Sequence, residues 1–76
     1  MNRVEQIEQK LVEHYSHLLG FEEVARILGI TVRAARVSDQ RGTFALEMQK
    51  IPGRRGKVVP ARVVAEYLAS LEANGG

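Results

Sequence analysis

Arginine and glutamine are the side chains best suited to reading a base edge, and this sequence spaces them for that purpose. Arg36, Val37 and Gln40 follow Arg33 by three, four and seven residues, intervals that gather side chains on one face of a helix. A guanidinium can bond guanine O6 and N7 in a bidentate manner, and a carboxamide can do the same to adenine N6 and N7. Arg41, at the end of the same segment, suits a backbone phosphate. Farther along, the stretch Pro52-Gly53-Arg54-Arg55-Gly56 is a turn whose two arginines nothing can bury, with Lys57 following. A basic tip of this kind can reach backbone phosphate or an adjacent minor groove. The chemistry implied is recognition of double-stranded DNA.

Charge distribution agrees. Between Arg26 and Arg62 there are nine basic residues against two acids, Asp39 and Glu47, a local balance of +7. The remaining residues hold two basics, Arg3 and Lys10, against seven glutamates, a balance of −5, so the net charge of +2 conceals strong segregation. One surface then carries a positive field that favours a polyanionic partner.

Several elements must position these side chains. Val4, Ile7, Leu11, Tyr15 and Leu18 form a helical stripe, which predicts a helix over 4–19 with Gly20 as its stop. A second helix is expected over 21–28, with Glu22 and Glu23 in the turn that favours carboxylates and Gly29 supplying the positive φ that ends it. Thr31 can cap a third helix over 32–41, closed by Gly42. Residues 46–51 and 57–59 read as two short strands around the breaker-rich turn, a hairpin spanning 46–59. Pro60 suits the first turn of a last helix over 61–71, whose apolar face is Val63, Val64, Tyr67, Leu68 and Leu71. The expected architecture is mainly α with a small β-hairpin, one winged helix-turn-helix domain over 1–76 with an extra N-terminal helix.

The segment 21–41 has the spacing of a helix-turn-helix. Small Ala25 allows close crossing of two helices, Gly29 makes the turn, Ile30 is expected to plug the space beneath it, and Thr31 starts a helix whose N-terminal end points outward. Ala35 and Ser38 would face inward. The competing reading is an ordinary helical hairpin with solvated arginines; the basic tip beside it argues for DNA. Asp39, on the expected DNA-facing helix, would repel phosphate, and an intrahelical pair with Arg36 or Arg41 is the expected use for it.

The run Phe21-Glu22-Glu23-Val24-Ala25-Arg26-Ile27-Leu28-Gly29-Ile30-Thr31-Val32-Arg33 resembles the opening of excisionase-like and MerR-superfamily winged-helix domains. The run from Gln49 to Val59, leading into Val63-Val64-Ala65-Glu66-Tyr67-Leu68, is similar to their basic wing and following helix. The resemblance extends from about Leu19 to Leu71. It implies a recognition helix at 32–41 in the major groove and the Arg54–Arg55 tip as the wing. Such domains serve as excisionases of phages and integrative elements, as phage regulators, and as DNA-binding halves of larger activators. The chain departs from them in three ways: Ala35 and Ser38 stand where a large apolar side chain is usual, Val58 and Val59 stand where an aromatic often follows the wing, and the N-terminal helix is additional. That helix either covers the thin core or forms a dimer.

Other chemistries find little support. The sequence contains no cysteine, which excludes disulfides and thiolate metal sites. His14 and His17 are three apart beside Glu13 but have no clear third ligand, and a structural or solvent-facing pair is the expected role. Gly53-Arg54-Arg55-Gly56 lacks the Lys-Ser/Thr of a phosphate loop, and no serine sits in a glycine-flanked elbow. No enzyme and no cofactor are expected. The function expected is sequence-specific DNA binding, as an excisionase (a recombination directionality factor) or a transcriptional regulator. Such a protein would be cytoplasmic and nucleoid-associated, as a homodimer or cooperative multimer on DNA, with an integrase or RNA polymerase as a further partner and no membrane. The alternative from another class is a protein-interaction adaptor binding an acidic partner through the same fold.

Overall fold

The computed structural model describes residues 2–74. Asn2 opens helix α1, Arg3–His14, by accepting the Glu5 N–H at 2.8 Å on its side-chain oxygen. The stripe continues in sequence to Leu18, but the helix does not: Tyr15 leaves helical geometry, and Ser16 turns the chain by bonding the Leu18 carbonyl with its hydroxyl. Leu18–Leu19 is strand β1 rather than the last turn of the helix expected over 4–19. Leu19 is fully buried there. Ser16 and His17, between the helix and the strand, stay exposed.

Helix α2, Phe21–Leu28, starts where Glu23 accepts the Gly20 N–H at 3.2 Å. It ends on Gly29 at φ 74°, with Ile30 N–H bonding Ala25 O and Gly29 N–H bonding Arg26 O. Helix α3, Val32–Gln40, ends in the same way: Gly42 lies at φ 73°, Thr43 N–H bonds Ser38 O, and Gly42 N–H bonds Asp39 O. Both are Schellman endings, which need a left-handed residue and favour glycine for it.

Strand β2, Val59–Pro60, pairs antiparallel with β1, matching Leu19 to Val59 and Leu18 to Pro60. Pro60 is thus a strand residue rather than the first turn of a helix, a position open to proline at a sheet edge. Helix α4, Ala61–Asn74, follows at once, and its first N–H bonds the His17 carbonyl at 2.8 Å. The hairpin expected over 46–59 is much reduced. Leu46 and Met48 alternate inward with exposed Glu47 and Gln49, yet strand pairing across the loop consists of one bridge, Gln49 to Val58. Among the described residues the architecture is four helices with one small antiparallel sheet.

Helix α1 packs along α4, and α2 along α3. The ends of α1 and α4 are tied by a two-pronged bond from Arg3 to Glu72, at 2.7 and 2.6 Å, so the helices run antiparallel. The core draws Ile7 and Leu11 from α1, Leu19, Val24, Leu46, Met48 and Val59, and Ala61, Val64 and Ala65 from α4. Complete burial of aliphatic side chains such as Leu19, Val24, Val59 and Val64 stabilises by about 1.5–3 kcal/mol each. Among the described residues α3 gives nothing to this cluster, and Ala35 is its one buried side chain. The additional helix α1 therefore completes the core with α4 rather than beneath α3. Among the described residues no helix is long and apolar enough to cross a membrane.

Candidate nucleic-acid interface

A helix held by one small buried residue leaves most of its circumference open. Ala35 is fully buried, Val32, Ser38 and Asp39 are half-buried beside it, and Arg33, Arg36 and Gln40 are exposed on the opposite arc with Val37 half-buried at its edge. The expected outward set is therefore brought together on one face. Thr31 caps the helix, its Oγ1 accepting the Ala34 N–H at 3.0 Å, while its own hydroxyl proton stays available to a phosphate. Arg41 is the exposed cap at the other end. Ile30, expected to plug the space beneath the turn, instead stands 41% exposed. Its N–H is committed to the Ala25 carbonyl, and this bond, with Gly29, shapes the turn without an apolar plug.

Arg36 does not hang free. Its guanidinium carbon lies 5.8 Å from the centroid of the Phe21 ring, which in turn stands 6.3 Å from the Phe44 ring. A cation over an aromatic face is held by about 0.5–1 kcal/mol at an exposed site, enough to bias one side-chain direction. Phe21 is fifteen residues upstream of Arg36, so no local spacing signals its positioning role.

The tip is exposed from Pro52 to Lys57. Gly53 takes φ 84°, the Arg54 N–H reaches the Ile51 carbonyl at 3.4 Å, and Lys50 Nζ bonds the Arg55 carbonyl at 2.6 Å. Lys50 thus closes the turn with its ammonium and leaves Arg54 and Arg55 pointing their charges at solvent. Lys57, expected as a free cation of the wing, instead bonds Asp39 Oδ2 at 2.7 Å. Asp39 accordingly pairs across eighteen residues with Lys57 and not within its helix with Arg36 or Arg41. The reason is placement: Asp39 sits toward the half-buried side of α3, with its side chain 14% exposed, facing the loop rather than the outward arc.

Across the described residues the ion pairs are Arg3 with Glu72, Arg62 with Glu8 and Glu66, and Lys57 with Asp39. None engages Arg26, Arg33, Arg36, Arg41, Arg54 or Arg55. The arrangement can bind an extended anion by charge and can offer planar donors to groups lying along α3. His14 meets Tyr15 edge-on at 4.6 Å, and among the described residues no three His, Cys, Asp or Glu side chains gather as a metal site would require. No protein-family model, curated protein or solved structure matches this chain.

Proposed function

We propose that this chain is a sequence-specific, non-catalytic DNA-binding protein. In this reading α2, the turn and α3 act as a helix-turn-helix, and the bridge-closed loop around Arg54 and Arg55 acts as a short wing. Helix α3 enters the major groove, with Arg33, Arg36 and Gln40 directed at base edges and Val37 against the groove wall. Arg41, Arg54 and Arg55 neutralise phosphates, and Thr31 offers a hydroxyl where the chain enters α3. Lys57 serves the tip through Asp39 rather than by contacting DNA. The observation that carries the reading is the partition of charge: among the described residues the exposed arginines of α3 and the tip have no acidic partner, whereas Arg3 and Arg62 elsewhere are paired.

One module of this size covers little DNA, so several copies on adjacent half-sites are expected. Such a protein works by occupying or bending its site, as an excisionase-like factor or as a regulator of transcription. The resemblance of its segments 21–33 and 49–68 to excisionase-like and MerR-type domains supports the same assignment. The test is fluorescence anisotropy with duplexes selected by the chain from a random-sequence pool, against scrambled duplexes, over a salt series. Preference for the selected duplex, with affinity falling steeply as salt rises, is the expected result. Absence of binding to any duplex at low salt overturns the reading and turns attention to an acidic protein as the partner of the same arginines.

A further inference from the structure

Helix α3 and the tip are the two halves of the proposed DNA surface, and very little fixes one against the other. Helix α3 adds no side chain to the main core among the described residues. The loop has one bridge at its base, Gln49 to Val58, beside the buried side chains Met48 and Val58, and among the described residues its other bonds, save one from Lys57, are internal to it. Among the described residues a single side-chain bond runs from α3 to this loop: Lys57 Nζ to Asp39 Oδ2, 2.7 Å. Lys57 immediately precedes the bridge residue Val58, so the bond acts at the base of the tip and two residues from Arg55.

We infer that Asp39 is a positioning residue, a strut that sets the distance and angle between α3 and the Arg54–Arg55 tip. An acid on a DNA-reading helix opposes phosphate binding, so its presence needs a purpose other than contact. Here the carboxylate points away from the outward arc, cancels the Lys57 charge, and converts that lysine from a mobile cation into an anchor. The consequence for recognition rests on the DNA-binding reading. With the strut in place, base contacts from α3 and phosphate contacts from the tip are made in one register. Without it the tip arginines must be ordered on each binding event, and part of their contribution is lost to that ordering.

The absence of cysteine makes the strut directly measurable. Spin labels attached at Ala34→Cys and Gly56→Cys, both exposed positions outside the proposed contacts, report the α3-to-tip distance distribution by pulsed electron resonance without DNA. We expect a narrow distribution in the otherwise unaltered chain, broadening in Asp39→Asn, and narrowing again when Asp39→Lys is combined with Lys57→Asp. In parallel, the affinity lost on Arg54→Ala with Arg55→Ala is measured with Asp39 present and with Asp39→Asn, using the selected duplex. That loss should shrink roughly three- to tenfold in the Asp39→Asn background, the coupling expected of groups acting as a unit. The loss from Arg33→Ala should be the same in both backgrounds.

An unchanged distance distribution in Asp39→Asn overturns the strut, whatever the DNA result. A broadened distribution with full tip losses in both backgrounds overturns its role in recognition. Uniformly tighter binding in Asp39→Asn, with the salt slope steeper by about one and tip losses unchanged, also overturns it, because Asp39 then acts only as a charge brake on Lys57. A distribution that responds as expected in a chain that binds no duplex removes the DNA role and the proposed function together.

Discussion

The two helix pairs of this molecule use charge in opposite ways. On the α1–α4 pair, Arg3 and Arg62 are satisfied by Glu72, Glu8 and Glu66, and the helices supply half of the buried core. On the α2–α3 pair, Arg26, Arg33 and Arg36 have no acidic partner among the described residues, and α3 has Ala35 as its one fully buried side chain. One half uses its charged side chains to hold itself together, and the other leaves them exposed. The contrast teaches where to look for binding: not where charge is densest, but where it is unanswered.

The sharpest way to break the contrast is to remove arginines from each side. Arg33→Ala with Arg36→Ala should weaken binding to the selected duplex by about 1–3 kcal/mol per arginine, with little change in urea midpoint. Arg3→Ala with Arg62→Ala should leave affinity within about twofold, since these residues touch no DNA in the proposed pose. Equal losses from both pairs, read by anisotropy, would mean that binding follows net charge and that the two halves do not differ.

Core truncation tests the other side. Leu19→Ala should cost about 2–5 kcal/mol of stability in a urea titration, because a fully buried leucine leaves a cavity. Ala34→Ser on exposed α3 should move the urea midpoint hardly at all. A smaller effect separates the tip from the helix. Arg54→Ala with Arg55→Ala should lower affinity alike for all sequences and flatten the log–log salt dependence by about two, near 0.9 per phosphate contact. Were the loss confined to the selected duplex, the tip would be reading sequence.

The least effect concerns the paired half. The hydrogen bond from Arg3 holds the Glu72 carboxyl below its ordinary value, opposed by a little desolvation and aided by the guanidinium charge. A depressed folded value contributes stability above the unfolded carboxylate pKa, about 4.3, and that contribution is lost as pH falls through the folded one. Glu72→Gln should therefore slightly lower the neutral plateau of a Tm-against-pH curve and leave its acid end nearly unchanged, so that the acid limb becomes a little shallower. The pair is half exposed, so the change is small.

What could be read in the sequence were the features that act within a few residues. The glycine endings at Gly29 and Gly42, the Thr31 cap and the outward set Arg33, Arg36 and Gln40 all follow from local spacing, and all stand where that spacing places them. The features that escaped join distant segments. Nothing near Leu18 and Leu19 announces Val59 and Pro60 as partners, so a helical stripe was extended into a strand. Nothing near Asp39 points to Lys57, and nothing near Arg36 points to Phe21. The alternation from Leu46 to Gln49 is that of a strand with one buried face, but burial alone can maintain it without a ladder beside it.

The smallest sheet also imposes an order of events during synthesis. Leu19 cannot meet Val59 until residues far along the chain have left the ribosome, whereas the bonds that end α2 and α3 join residues no more than five apart. The basic segment can therefore assume local shape while its support is still being made. Closing the β1–β2 pair is the step that turns this nascent polycation into a fixed surface.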